Sequence, residues 1–292
     1  MTSLRTRVRA ALPRPCRRLV GRALRRGRQL KGLPASRHRR GVVLMLHVGR
    51  CGSTVLADML GRHPEICWDG KLPRFGRALH GADAMRRMDH LTWIRRQYAI
   101  AGRRYYGFEF KMMDYQYPAI LGTTGAEFVE AGESLDITHY ILLQRRNAVH
   151  QLVSDGTSRA RRSWHARDHG DLANPRIRID LEKVTALEAP GLPLLDHLED
   201  LDRAHLAMRR ALRDRRLLEL EYEKDILESG PEAAFGRVCD FLEVTRIDAK
   251  PSYRKINPTR PEECVENWTE LQSALRGTRF EWMVAPPEPR RS

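Results

Sequence analysis

The 292-residue chain has no run of about 18–20 consecutive apolar residues, which excludes an evident membrane-spanning helix. Its first 40 residues lack the roughly 7–15-residue apolar core of a secretory signal, so the chain is expected to stay in the cytoplasm. Cysteine is scarce, odd in number and scattered: Cys16, Cys51, Cys67, Cys239 and Cys264 form no CxxC pair. A disulfide framework and a zinc site are therefore not expected, and the thiols read as buried or incidental. Acidic residues are absent from positions 1–40, which carry fourteen of the 52 Arg and Lys residues. Downstream, 38 basic residues face 37 acidic ones, so the net charge of +15 belongs to the arm and the body is nearly neutral.

That arm carries a thin helical periodicity among its arginines: Leu4, Val8, Ala11 and Leu12 before Pro13, then Leu19, Ala23 and Leu24 after Pro15. A flexible solvated arm, short basic helices on an anionic membrane surface, and a polyanion-binding segment all fit it. With 41% hydrophobic residues, the remainder is large enough for a substantial core. The expected organisation is a basic arm over 1–40, a domain over 41–285 and a disordered tail over 286–292.

Along the body, 41–48 reads as a strand, and 53–62 as a helix with Val55, Leu56, Met59 and Leu60 on one face, ended by His63 and Pro64. A helical pattern lies within 78–101. Tyr105–Met112 reads as a strand with Phe108, Phe110 and Met112 alternating against Glu109 and Lys111. The run at 139–143 suits a strand buried on both faces and leads into a helix bearing Val149, Leu152 and Val153. Residues 155–193, polar and broken by Gly and Pro, read as an excursion over the active face or an acceptor-binding insertion. Helices follow at 194–213, 231–242 and 261–275, with a strand at 216–221. The alternation predicts an α/β fold with a mainly parallel central sheet flanked by helices, and ligands at the carboxyl ends of its strands.

Two strand-to-helix junctions stand out. The first, HVGRCGST at 47–54, is a phosphate-loop-like turn without the lysine or the glycine spacing of a kinase loop. Gly49 and Gly52 let the backbone wrap an anion closely, Ser53 and Thr54 add hydroxyls, Arg50 adds a planar cation, and the following helix offers free N–H groups. The second junction, RRNAVHQLVS, places Arg146 at a strand end and Ser154 about two helical turns further on.

These two segments resemble the motifs of sulfotransferases that use 3′-phosphoadenosine 5′-phosphosulfate (PAPS), most closely the bacterial carbohydrate-type members that act on trehalose or nodulation factors. GRCGST resembles the 5′-phosphosulfate loop, and Arg146 with Ser154 the 3′-phosphate motif. SWH at 163–165, LEYEKDILESGPEAAFGRVCDFLEV and KINPTRPEECVENWTEL are similar to weaker family features. The resemblance spans roughly 41–283. It implies a P-loop-like sulfotransferase fold that moves a sulfuryl group from PAPS to a hydroxyl of a carbohydrate, glycolipid or lipid-linked acceptor, without a metal. It further implies that Gly49, Arg50, Cys51, Gly52, Ser53, Thr54, Arg146, Ser154 and Lys255 hold the nucleotide, with Lys111 a further anion-binding candidate.

In-line sulfuryl transfer needs positive charge at the leaving oxygen, a role for Arg50, and a base for the acceptor hydroxyl. Where related bacterial chains often place Asp-Gly-Glu after HPEI, this one reads CWDGK, with Lys71 in the place of the glutamate. Asp69 is then the first candidate base, followed by Glu109 and His165. Two other readings compete: a P-loop-type nucleotide-binding kinase, for which the loop lacks its lysine, and a non-catalytic polyanion binder acting through residues 1–40. Nucleic acid is an unlikely partner given the neutral body.

Overall fold

A computed structural model describes residues 14–71, 89–161, 175–252 and 260–285, with the side chains of 14–22 and 71 left out. Residues 1–13 and 286–292, His165, Lys255 and the 78–88 portion of the 78–101 pattern lie outside the described residues, as does the side chain of Lys71. Helix α1 (Arg14–Ser36) precedes strand β1 (Gly41–His47) and helix α2 (Ser53–Leu60). There follow β2 (Ile66–Lys71), α3 (His90–Gln97), β3 (Tyr105–Lys111), the short helices α4 (Tyr117–Leu121) and α5 (Gly125–Glu130), and β4 (Ile137–Gln144). Helices α6 (Ala148–Ala160) and α7 (Leu194–Ala211), strand β5 (Leu217–Glu221), a π-helical turn (Tyr222–Glu228), α8 (Pro231–Phe241) and α9 (Trp268–Leu275) complete the chain.

The five strands form one all-parallel sheet in the order β2-β3-β1-β4-β5. Every residue of β1 and β3 is buried, as strands covered on both faces require. The pleat divides them between two cores. Val42, Leu44 and Leu46 pack with Tyr106, Phe108 and Phe110 against α3, α5, α6, α7 and α9. Val43 and Met45 pack with Ile141 and Leu143 against α2 and α8. Each such fully buried side chain contributes roughly 1.5–3 kcal/mol of transfer free energy, which is why a one-residue slip in register is not tolerated. In that register Glu109 lies beside Met45 and Lys111 beside His47, so the two charged residues of β3 share one face, as the alternation predicts.

Local chemistry fixes the helix starts that matter. Asn147 caps α6 by accepting from His150 N at 2.9 Å. Thr124 and Glu127 form a reciprocal capping box on α5. The expected 261–275 helix is corrected: Pro261–Glu263 is a single 3-10 turn, and α9 starts only at Trp268. Between them the backbone turns away to pair with Ile177, which donates to Cys264 O at 2.8 Å and accepts from Glu266 N at 2.8 Å. A long-range pairing with Ile177 thus overrides the local helical pattern. Strand β2, which the sequence did not announce, is an edge strand that pairs with β3 across Gly107, where any side chain would meet the Trp68 ring. Among the described residues no helix is long and apolar enough to cross a membrane.

Two buried histidines set the acid stability. His205 on α7, its Nδ1 2.8 Å from Leu201 O, is lowered to about 4 by burial. His139 on β4 is lowered to about 4 by burial and by Arg216. Both stay neutral in the fold while the unfolded chain takes up protons, so their stability is complete above about pH 6.5 and lost as pH falls towards 4. Denaturant unfolding across that range is expected to show a steep decline that His205→Gln makes shallower; an unchanged slope counts against this assignment.

Candidate functional site

The turn between β1 and α2 holds three residues at positive φ in four positions: Gly49 at 119°, Arg50 at 55° and Gly52 at 84°. Positive φ at Gly49, Arg50 and Gly52 bends the chain sharply just ahead of the positive end of α2, where helix N–H groups favour an anion. At Gly52 a Cβ would come within 2.7 Å of Ile226 Cδ1, so glycine is required both by φ and by the π-helical turn packed behind it. Gly49 O accepts from the Gln151 amide of α6, and Val48 O accepts from Gln116 Nε2 at 2.9 Å. Ser53 is buried and Thr54 half-buried at the start of the helix.

Arg50 reaches from this loop to α6. Its Nε donates to Ser154 Oγ at 2.9 Å and its Nη2 to Ser158 Oγ at 2.6 Å, joining segments about a hundred residues apart. Burial lowers its pKa, with Asp155 opposing and Arg145 adding to the effect. Arg145 itself is buried, lies 4.6 Å over the Tyr222 ring and donates to Arg50 O at 3.2 Å. Its Nε makes no hydrogen bond, and Glu223 stands 3.9 Å away. Burial lowers this guanidinium too. The Arg145 guanidinium is thus desolvated beside Arg50 with its own Nε unbonded.

Arg146 lies elsewhere: its side chain is exposed, 5.5 Å over Trp282 and 3.9 Å from Glu221. The Glu223 carboxylate accepts from Arg146 N at 3.0 Å and Asn147 N at 3.1 Å, so a protein carboxylate takes the N–H groups at the start of α6. Ser154 thus meets Arg50 through its side chain, a contact the Arg146–Ser154 spacing did not foretell.

Beneath the loop, His47 Nε2 lies 3.1 Å from Glu109 Oε2, both groups buried. Burial disfavours the imidazolium, but Cys51 and Glu109 outweigh it and raise the His47 pKa. Burial likewise opposes the Cys51 thiolate, while His47 and the backbone at Ser53 and Gly49 outweigh it and lower the thiol. Glu109 is therefore the partner of His47 and not of Lys111.

Lys111 lies further along the same face, at the mouth of the loop. Its Nζ is 3.7 Å from where a Cβ on Gly49 would stand and donates to Glu188 Oε1 at 2.8 Å. Leu187 and Glu188 are consecutive non-glycine residues at φ 58° and 72°, a strained pair. Leu187 N donates to Asp155 Oδ2 at 3.1 Å and Leu187 O accepts from Gln116 Nε2 at 2.8 Å, so α6 and the loop hold the strain in place.

Asp69 is committed to α1. Arg25 grips it through Nη1 at 2.6 Å and Nη2 at 2.5 Å, the Tyr106 hydroxyl donates to it at 2.6 Å, and Arg25 Nε also donates to Gln97 Oε1 at 2.9 Å. Gly32 lets α1 press onto the turn after α3, because a Cβ there would overlap Ala99 O. Residues 25–36 of the basic arm are thus docked on the body. Both carboxylate oxygens of Asp69 are thus engaged, in a bidentate pair with one guanidinium.

Ser158, Gln116, Gln151 and Glu188 join the site without having been named from sequence, whereas His47 and Arg145 fall within the two junctions read there. Only Ser158 carried a local signal, one helical turn beyond Ser154 on the same face. No known family model matches the chain, and no curated protein is significantly similar to it.

Removing one side of a buried ion pair leaves the other unpaired, at a cost of about 3–5 kcal/mol. Arg25→Ala is expected to lower stability by an amount of this order and, like Gly32→Leu, to open the α1 amides to hydrogen exchange; full protection in both variants argues against docking through Asp69.

Proposed function

We propose that the chain is a sulfotransferase that moves a sulfuryl group from PAPS to a hydroxyl of a carbohydrate, glycolipid or lipid-linked acceptor, by a P-loop-like site. The observation that carries this reading is the Arg50 bridge to Ser154 and Ser158, which unites the glycine-bracketed loop with the helix of the second motif. The desolvated Arg145, with its unbonded Nε, adds positive charge at the same place. In this reading the loop N–H groups, Ser53, Thr54 and Arg50 hold the 5′-phosphosulfate. Ser154 offers a hydroxyl to the 3′-phosphate, Arg146 and Lys255 are further ligands for it, and Ser158, whose hydroxyl donates to Ser154 O at 2.8 Å, positions Arg50. Arg50 and Lys111 offset the charge that grows on the leaving oxygen.

A kinase reading gains nothing from the site, since Arg50 stands where no phosphate-loop lysine is available. The exposed face of α1 supports an anionic membrane surface as a partner. Leu24, Leu30 and Leu33 are each more than half exposed there, between exposed Arg26, Arg28 and Lys31.

Calorimetry with PAP, the desulfated donor, tests the reading. Wild type is expected to bind, and Arg50→Ala and Ser154→Ala to weaken binding by roughly tenfold or more, the worth of one or two charge-assisted hydrogen bonds. No binding by wild type sinks the proposal. For the membrane partner, sedimentation with phosphatidylglycerol vesicles is expected to carry down wild type at low salt, and much less of a Leu30→Glu, Leu33→Glu variant. Equal sedimentation with phosphatidylcholine vesicles would remove the electrostatic part of the idea.

A further inference from the structure

A sulfuryl acceptor needs a base beside the loop, and the carboxylates around it are mostly engaged. Asp69 is gripped by Arg25 and Tyr106, Glu109 is buried against His47, and Glu223 takes the N–H groups at the start of α6. Asp155 holds Arg159 at 2.7 Å and Leu187 N at 3.1 Å. Glu188 differs: its side chain is 49% exposed, and its hydrogen bond is to the lysine that overlooks Gly49. The backbone beneath it is strained at two consecutive residues and fastened by Asp155 and Gln116, one from the Arg50-binding helix and one bonded to the loop itself. Strain of this kind costs of order 1–3 kcal/mol per residue and persists only where surrounding contacts over-determine it. Here those contacts set a carboxylate at the loop mouth.

Resting on the sulfotransferase reading, we propose that Glu188 is the general base of the reaction, with Lys111 as the group that positions it. The Glu188 carboxylate takes the proton of the acceptor hydroxyl as the acceptor oxygen bonds to sulfur. The bond from sulfur to the bridging phosphate oxygen breaks, and its electron pair leaves with PAP. The sum is PAPS and an alcohol giving a sulfate ester, PAP and one proton, which Glu188 passes to water through its exposed side. Lys111 holds the carboxylate in place through its 2.8 Å hydrogen bond and stands between it and the loop, where the sulfonate would lie. An acceptor hydroxyl that displaces the Lys111 contact inherits a base within hydrogen-bond reach.

The test uses the full chain with radiolabelled PAPS and two acceptor probes, trehalose and a bacterial membrane glycolipid extract, with PAP calorimetry run on the same samples. Glu188→Gln is nearly isosteric and half exposed, so its melting temperature should match wild type. The expected result is unchanged PAP affinity, a rate of transfer lowered about 100-fold or more, loss of the acidic limb of the pH–rate profile, and partial recovery in Glu188→Asp. PAP binding with equal transfer rates in wild type and Glu188→Gln would overturn the assignment and leave the sulfotransferase reading standing. Absence of PAP binding by wild type would overturn both. PAP binding without transfer to either probe by wild type would count against a base at this position and not against the nucleotide site.

Discussion

The Arg50 guanidinium is the point on which the arrangement turns. It leaves a loop whose backbone is set by glycine at two positions and by positive φ at its own, and it ends on two hydroxyls of a helix that belongs to another strand. Neither half of this contact is stable for local reasons. Arg50 sits at φ 55°, which a side chain tolerates only with compensation, and its burial lowers its own pKa. What holds it is the layering of β1 between β3 and β4, which brings the ends of β1 and β4 side by side and delivers α2 and α6 to one edge of the sheet. The parallel topology therefore creates the site, and the site in return carries strain that the two cores must support.

Charge balance follows from this layering. Arg50, Arg145 and Lys111 gather around the loop, while the nearby carboxylates are mostly spent on structure: Glu223 on backbone N–H groups, Asp155 on Arg159 and Leu187, Glu109 on His47. Glu188, by contrast, pairs directly with Lys111 at 2.8 Å. Burial lowers the pKa of both Arg50 and Arg145, and Arg145 lowers that of Arg50 further.

Much of the frame was legible in the chain. The uninterrupted apolar run of β1, the alternation of Phe108 and Phe110 with Glu109 and Lys111, and the helical stripe of α7 each encode one burial pattern, and burial decided them. Strand β2 was not legible, because ICWDGK has no period and Gly70 turns to φ 69°; its identity comes from pairing with β3 where Gly107 makes room for Trp68. The site divides in the same way. The anion loop reads from sequence since its glycines and hydroxyls are contiguous. The partner of Arg50 does not, because spacing joined Ser154 to Arg146 while folding joined it to Arg50. Glu188 and the Arg25–Asp69 pair depend on contacts 77 and 44 residues apart, and no local pattern marks such pairs.

The Arg25–Asp69 pair also links the two ends of the functional argument. Asp69 sits on β2 and receives the hydroxyl of Tyr106 on β3, the strand that carries Glu109 and Lys111 to the loop. Gly32 against Ala99 and Gln29 on Gln97 at 2.8 Å add further fixed contacts, so α1 is tied to the body along its polar side and turns Leu24, Leu30 and Leu33 outward. A basic arm joined to the body only by a flexible connection would leave the loop free to take any orientation over a surface. One bonded to the edge of the sheet transmits its own orientation to β3, and hence to the mouth formed by Lys111 and Glu188. On this geometry Asp69 joins α1 to the edge of the sheet, through Arg25 on one side and the Tyr106 hydroxyl on the other.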